Sequence, residues 1–227
     1  MAHENKADDG VLKVEETLTK AELFIEEHQK NIAIVIGAIV VIVGAFLGYK
    51  NLYAAPREKQ AQAQIFGAQQ YFEKDSFKLA LKGDGNNPGF LTVIDEYSGT
   101  KAGNLAYYYA GICYLKTGDF NKAIENLENF SADDEFVAPI ALGATGDCYL
   151  ELGKTDKAID YYIKASKKSE NDMTTPLYLM KAGLASEIKG DFKGALEYYT
   201  TIKDKYKKSQ QATEIDKYIA RAELKTK

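Results

Sequence analysis

The sequence is short of the residues on which most enzyme chemistry depends. It has two histidines, His3 and His28, and none later in the chain. That excludes a Ser–His–Asp relay beyond residue 28 and leaves no histidine cluster there to hold a metal. No P-loop and no G-x-G-x-x-G turn occurs. Two cysteines, Cys113 and Cys148, do not make a disulfide framework, and four prolines argue against a long disordered linker. There is no basic excess either. The net charge is −4, all of it in residues 1–30, where eight acids face four lysines, and the remainder balances. A neutral domain offers no footprint for nucleic acid. The expectation is a non-enzymatic protein without cofactor, metal, nucleic acid or small-molecule substrate.

One run has no charge at all. Ile32 to Gly48, IAIVIGAIVVIVGAFLG, lacks any strongly polar residue. At ~1.5 Å per residue it covers about 25 Å, close to a bilayer core of roughly 30 Å. Tyr49, Leu52 and Tyr53 extend it with aromatics where an interface belt falls. The preceding segment is long and acidic, unlike the short basic start of a cleaved signal, and Pro56 directly follows the small-residue stretch LYAA. The reading is an uncleaved single-span signal anchor over 31–53. Orientation is weakly marked. Lys20 and Lys30 precede the span, while Lys50, Arg57 and Lys59 follow it, a slight lean toward a cytoplasmic C-terminal domain. Gly44 and Gly48, with Gly37 before them, are candidate helix contacts in lipid, although glycine is common in spans. Upstream, Val14, Leu18, Ala21 and Ile25 share one face of a short amphipathic helix in the acidic tail 1–30. That helix either contacts a protein at the membrane surface or continues the span.

The C-terminal part repeats itself. GICYLKTGDFNKAIENL, GDCYLELGKTDKAIDYY and GLASEIKGDFKGALEYY share one skeleton. Gly111, Gly146 and Gly183 are small where a second helix crosses the first. Gly118, Gly153 and Gly190 stand where the first helix must stop, a left-handed position that glycine takes at little cost. Asp119 and Asp191 can cap the second helix, and Ala123, Ala158 and Ala195 are small where it packs back. Tyr114 and Tyr149 recur, with Ser186 in the third copy. One such hairpin cannot bury its apolar faces alone, so stacking makes the core. Cys113 and Cys148 fall at equivalent points of adjacent repeats, which usually lie beyond the ~7 Å Cα limit of a disulfide, so two free buried thiols are expected.

This pattern resembles three tetratricopeptide repeats, assigned to 104–208. A weaker unit at 54–103 reads as a degenerate first hairpin. It has Gly67 or Ala68 and Tyr71 on its first helix, an inserted loop across KLALKGDGNNPG centred on 83–89, and FLTVIDEYSGTKAGN as its second helix. Residues 209–227, with Ile215, Tyr218 or Ile219, and Ala222 on one stripe, fit a polar-backed capping helix. The fold class is therefore all-α: a tetratricopeptide solenoid of helical hairpins with a capping helix, preceded by one transmembrane helix. In this family the first helices line the inner surface. By position that face holds Tyr108, Ile112 and Lys116, then Gly143, Asp147 and Glu151, then Met180, Leu184 and Glu187. Such a groove suits an extended or helical peptide.

The order of parts (acidic tail, span, repeats, capping helix) resembles the YfgM-like ancillary subunits of the Sec translocon in bacterial inner membranes. The resemblance implies a cytoplasmic N-terminus, a periplasmic repeat domain, and partners among translocon subunits, periplasmic chaperones or client peptides. Two alternatives stay open: a cytosol-facing receptor for targeting peptides, and a scaffold for another envelope assembly or secretion machine.

Overall fold

A computed structural model describes residues 5–226. They form helices and turns without a strand, in two compact units that meet in the chain between Pro56 and Arg57.

The first unit is dominated by α1, Asn5–Gly48, a single helix of 44 residues and about 66 Å. The acidic tail and the apolar run are thus one backbone element. The side chains of Val14, Leu18, Ala21 and Ile25 lie outside the described residues. Nothing in the sequence interrupts α1, since the first proline is Pro56. Just before that proline the helix winds wide. Tyr49–Ala54 is a π-helical turn, with the Ala55 N–H bonded to the Lys50 carbonyl. Pro56 has no N–H for the helix ladder and its ring crowds the preceding turn, and one wide turn relieves both. The apolar run is long and apolar enough to cross a membrane. None of its large side chains is buried: Val41 is 70% exposed and Ile42 67%.

The second unit is the expected solenoid. Its helices are α2 (Ala55–Glu73, entered at Arg57), α3 (Phe77–Lys82), α4 (Phe90–Tyr97), α5 (Lys101–Thr117), α6 (Phe120–Asn129), α7 (Val137–Glu151), α8 (Thr155–Lys168), α9 (Thr174–Lys189), α10 (Phe192–Lys205) and α11 (Ile215–Thr226). Pairs α5/α6, α7/α8 and α9/α10 are the three repeats. Each hairpin turn is built alike. Gly118, Gly153 and Gly190 take φ of 83°, 70° and 85°. The next N–H reaches back to the carbonyl of Tyr114, Tyr149 or Ser186, which satisfies carbonyls that a helix end leaves open. Asp119 then accepts from Lys122 N–H and Asp191 from Gly194 N–H. The middle repeat has Lys154 there, and α8 starts without a side-chain cap. Pro139 and Pro176 sit in the first turns of α7 and α9, where a missing N–H costs nothing.

The crossings are close. A Cβ on Gly111 would lie 2.5 Å from Leu127 Cγ, on Gly146 2.7 Å from Tyr162 Cε1, and on Gly183 2.3 Å from Tyr199 Cε1. Ala123, Ala158 and Ala195 are fully buried opposite them. The core runs along the solenoid in three stretches and ends on α11, where Ile215 and Ala222 are buried and Tyr218 lies 5.5 Å from the Tyr199 ring. Both cysteines are free and buried.

The first hairpin departs from expectation. Phe77–Lys82 is helical where a loop starting at Lys78 is expected. The reason is burial: Ala80 is 0% and Leu81 4% exposed, in one cluster with Ala68 and Phe90. The turn before α3 copies the others, with Ser76 N–H on the Tyr71 carbonyl and Asp75 at φ 53° in the glycine position. So α3 and α4 are one second helix split by the loop 83–89. That loop is closed on itself. Asp84 accepts from Asn86 N–H (2.9 Å), Asn87 N–H (2.6 Å) and Tyr71 hydroxyl (2.6 Å), bonds that hold its carboxyl well below the usual range, the tyrosine first among them. The start of α2 is clipped to the next junction. Glu58 accepts from Lys101 N–H at 2.6 Å, and Arg57 donates to the Glu96 carbonyl and lies over the Tyr97 ring. Each charge thus meets the helix end of opposite polarity.

Candidate protein-interaction face

The hairpin turns give the register of the face. Counting back from Gly118, Gly153 and Gly190 brings into columns Tyr108, Gly143 and Met180, then Ile112, Asp147 and Leu184, then Lys116, Glu151 and Ile188. Glu187, expected in the last column, is one residue out of it.

Tyr108 is half-buried, its ring 5.4 Å from Tyr109 and 5.5 Å from Phe130. Ile112 is half-buried on the central core. Gly143 is covered: a Cβ there would lie 1.9 Å from Tyr178 Cε1, so the Tyr178 ring occupies that part of the face. Met180 is half-buried against the C-terminal core. Lys116 and Glu151 are exposed. Leu184 is 37% exposed, and Ile188, one turn on, 67%.

Asp147 and Glu187, both expected on this face, are bonded within the molecule. Asp147 accepts from the Tyr162 hydroxyl at 2.7 Å and from Lys181 Nζ at 2.7 and 2.8 Å. It therefore ties α7 to both α8 and α9. Glu187 accepts from the Tyr199 hydroxyl at 3.1 Å and pairs with Arg221 of α11 at 2.7 Å. Burial first, and the adjacent carboxylates second, push the Tyr162 and Tyr199 hydroxyls well above their ordinary range, so both stay neutral donors. Burial likewise pushes both thiols up to about 12, which makes them poor nucleophiles.

These pairs follow a rule that the sequence carries. Asp133–Lys168, Asp147–Lys181, Asp156–Lys189 and Glu187–Arg221 are all ion pairs of 2.6–2.7 Å about one repeat apart. Opposite charges separated by one period are the signal that reveals them. With Asp147 and Glu187 paired, the face offers outward Leu184 and Ile188, Tyr108 and Ile112 in part, and two charges, Lys116 and Glu151. Gly37, Gly44 and Gly48, on the other unit, have open space where a Cβ would stand.

Comparison with known proteins agrees with this architecture. Tetratricopeptide repeat families match residues 105–133 and 141–174. The crystal structure of nearly identical tetratricopeptide-like repeats of a putative kinesin light chain from Podospora anserina superimposes with a TM-score of 0.55. The match covers 74% of this chain and 86% of that one at 13% identity, a likeness of fold alone. No curated protein matches the chain.

Proposed function

We propose that this chain is a membrane-anchored protein-interaction module, an ancillary subunit of the Sec translocon that helps hand translocating proteins to periplasmic chaperones. The observation that carries it is a pairing on one chain. An apolar helix exposed on every side leads into a repeat solenoid, and one face of that solenoid presents Leu184 and Ile188, with Asp147 and Glu187 internally paired. The bare helix suits a bilayer, and an apolar groove suits a peptide. The translocon role rests on the order of parts shared with YfgM-like proteins. A second reading, a cytosol-facing receptor for targeting peptides, draws on Lys50, Arg57 and Lys59 after the span against Lys20 and Lys30 before it.

Protease treatment of intact spheroplasts separates the two. Loss of the repeat domain without membrane rupture is the expected result; protection until rupture puts the receptor in its place. Copurification in mild detergent then tests the machine, and absence of translocon subunits from the eluate rules that role out.

A further inference from the structure

The glycines are one face of α1; another carries a longer pattern. Read at a period of seven, positions 11, 14, 18, 21, 25, 28, 32, 35, 39, 42 and 46 hold Val, Val, Leu, Ala, Ile, His, Ile, Val, Ile, Ile and Phe. His28 is the single polar residue of that series. Within the apolar run any spacing finds apolar residues, so the information lies upstream. There, between Val11 and Ile25, every such position is apolar, while Lys13, Glu15, Glu16, Lys20 and Glu22 fall between them. A strict seven-residue repeat is the period of a helix that winds around another helix.

We propose that α1 is a pairing helix: two copies of this chain associate in parallel, in register, along this seam. The inference rests on the membrane-anchored reading above. α1 is unbroken across the acidic and apolar segments, so the seam is continuous through both. Its described part is bare, with Val35 57%, Ile39 54%, Ile42 67% and Phe46 62% exposed. The stretch ahead of Ile32 spans about 40 Å, and a helix in a protein draws most of its stability from packing its apolar face against a neighbour.

A second copy fits better than another chain for two reasons. Two copies inserted in one membrane necessarily run the same way with Ile32 at the same depth, which puts every seam position opposite itself. The flanking positions also suit self-pairing. In a parallel pair Gly10 meets Glu15, Thr17 meets Glu22, and Phe24 meets Gln29. An acidic segment therefore pairs with itself without setting acid against acid. Gly37 and Gly44 sit seven apart on the opposite side and are left facing outward.

The test is cysteine cross-linking of the full chain in native membranes. Cys113 and Cys148 are buried, so an introduced thiol reports alone. Under a mild oxidant, Leu18→Cys and Ala21→Cys should shift the 25.2 kDa chain to a band of twice that mass. Glu16→Cys and Leu23→Cys, on the far side, should leave it monomeric. Gly44→Ile should not disturb the Leu18→Cys product. Carbonate extraction of the same membranes reports anchoring separately. An embedded chain that gives no product from the seam, or equal product from both sides, overturns the pairing alone. A chain that is extracted yet still cross-links at Leu18 and Ala21 keeps the pairing and overturns the anchor. Extraction with no cross-linking overturns both.

Discussion

The Gly183→Val variant is expected to lose about 3 kcal/mol of stability, because overpacking a closed helix crossing forces backbone and side chains apart. The Cβ alone would stand 2.3 Å from Cε1 of Tyr199, which is fully buried and held through its hydroxyl to Glu187. The ring cannot swing away without breaking that bond and exposing the last core. For a domain of this size, such a loss lowers Tm by about 6–12 °C. Each repeat leans on its neighbours, so the damage should be uneven: hydrogen exchange should quicken in α9, α10 and α11 before α5 and α6. Gly99→Ala is the control, since nothing lies within 4 Å of a Cβ there. A Gly183→Val variant melting within a degree or so of the parent would mean that the crossing is looser than described.

The second large effect belongs to Asp147. Asp147→Ala removes one acceptor and strands two donors, the Tyr162 hydroxyl, whose residue is 1% exposed, and the Lys181 ammonium, about one-third exposed. An unsatisfied buried hydroxyl and a lost charge-assisted bond together cost about 2–3 kcal/mol. Tyr162→Phe, which leaves the carboxylate its lysine, should cost only about 1 kcal/mol. The double variant should cost less than the sum of the two, because the groups share one network. Chemical denaturation of the four proteins measures this. Strict additivity, or an Asp147→Ala variant as stable as the parent, would show that the carboxylate is solvated rather than structural.

These two sites also show what was legible in the sequence. The crossing glycines, turn glycines and packing alanines recur at 35 and 37 residues, and each does in the structure what its size and backbone freedom dictate. The α3 helix was hidden because Ala80 keeps its column while the Gly- and Asn-rich residues after it dominate the local composition. Asp75 in the glycine place hid it further. The columns of the candidate face were legible from the turn glycines in α5 and α7. In α9 Met180 and Leu184 keep that count, and only the last step differs: four residues on from Leu184 is Ile188, three is Glu187. Asp147 and Glu187 each have one partner in their own repeat, the Tyr162 or Tyr199 hydroxyl, and one from beyond it, Lys181 of the next repeat or Arg221 of α11. Burial patterning along one helix cannot show a bond whose other half is a whole repeat away. For the same reason the Tyr178 ring over Gly143 is a property of the stack, not of either segment.

The central claim is that the inner face of the solenoid binds proteins through its exposed apolar strip. The most direct measurement is site-specific photocross-linking in living cells from Leu184 and Ile188, with Asp160 on α8 as an exposed control on a second helix. The account predicts discrete adducts with other proteins from Leu184 and Ile188, lost when the neighbouring strip position is changed to glutamate, and none from Asp160. Adducts of equal strength from all three positions, or from Asp160 alone, would contradict it.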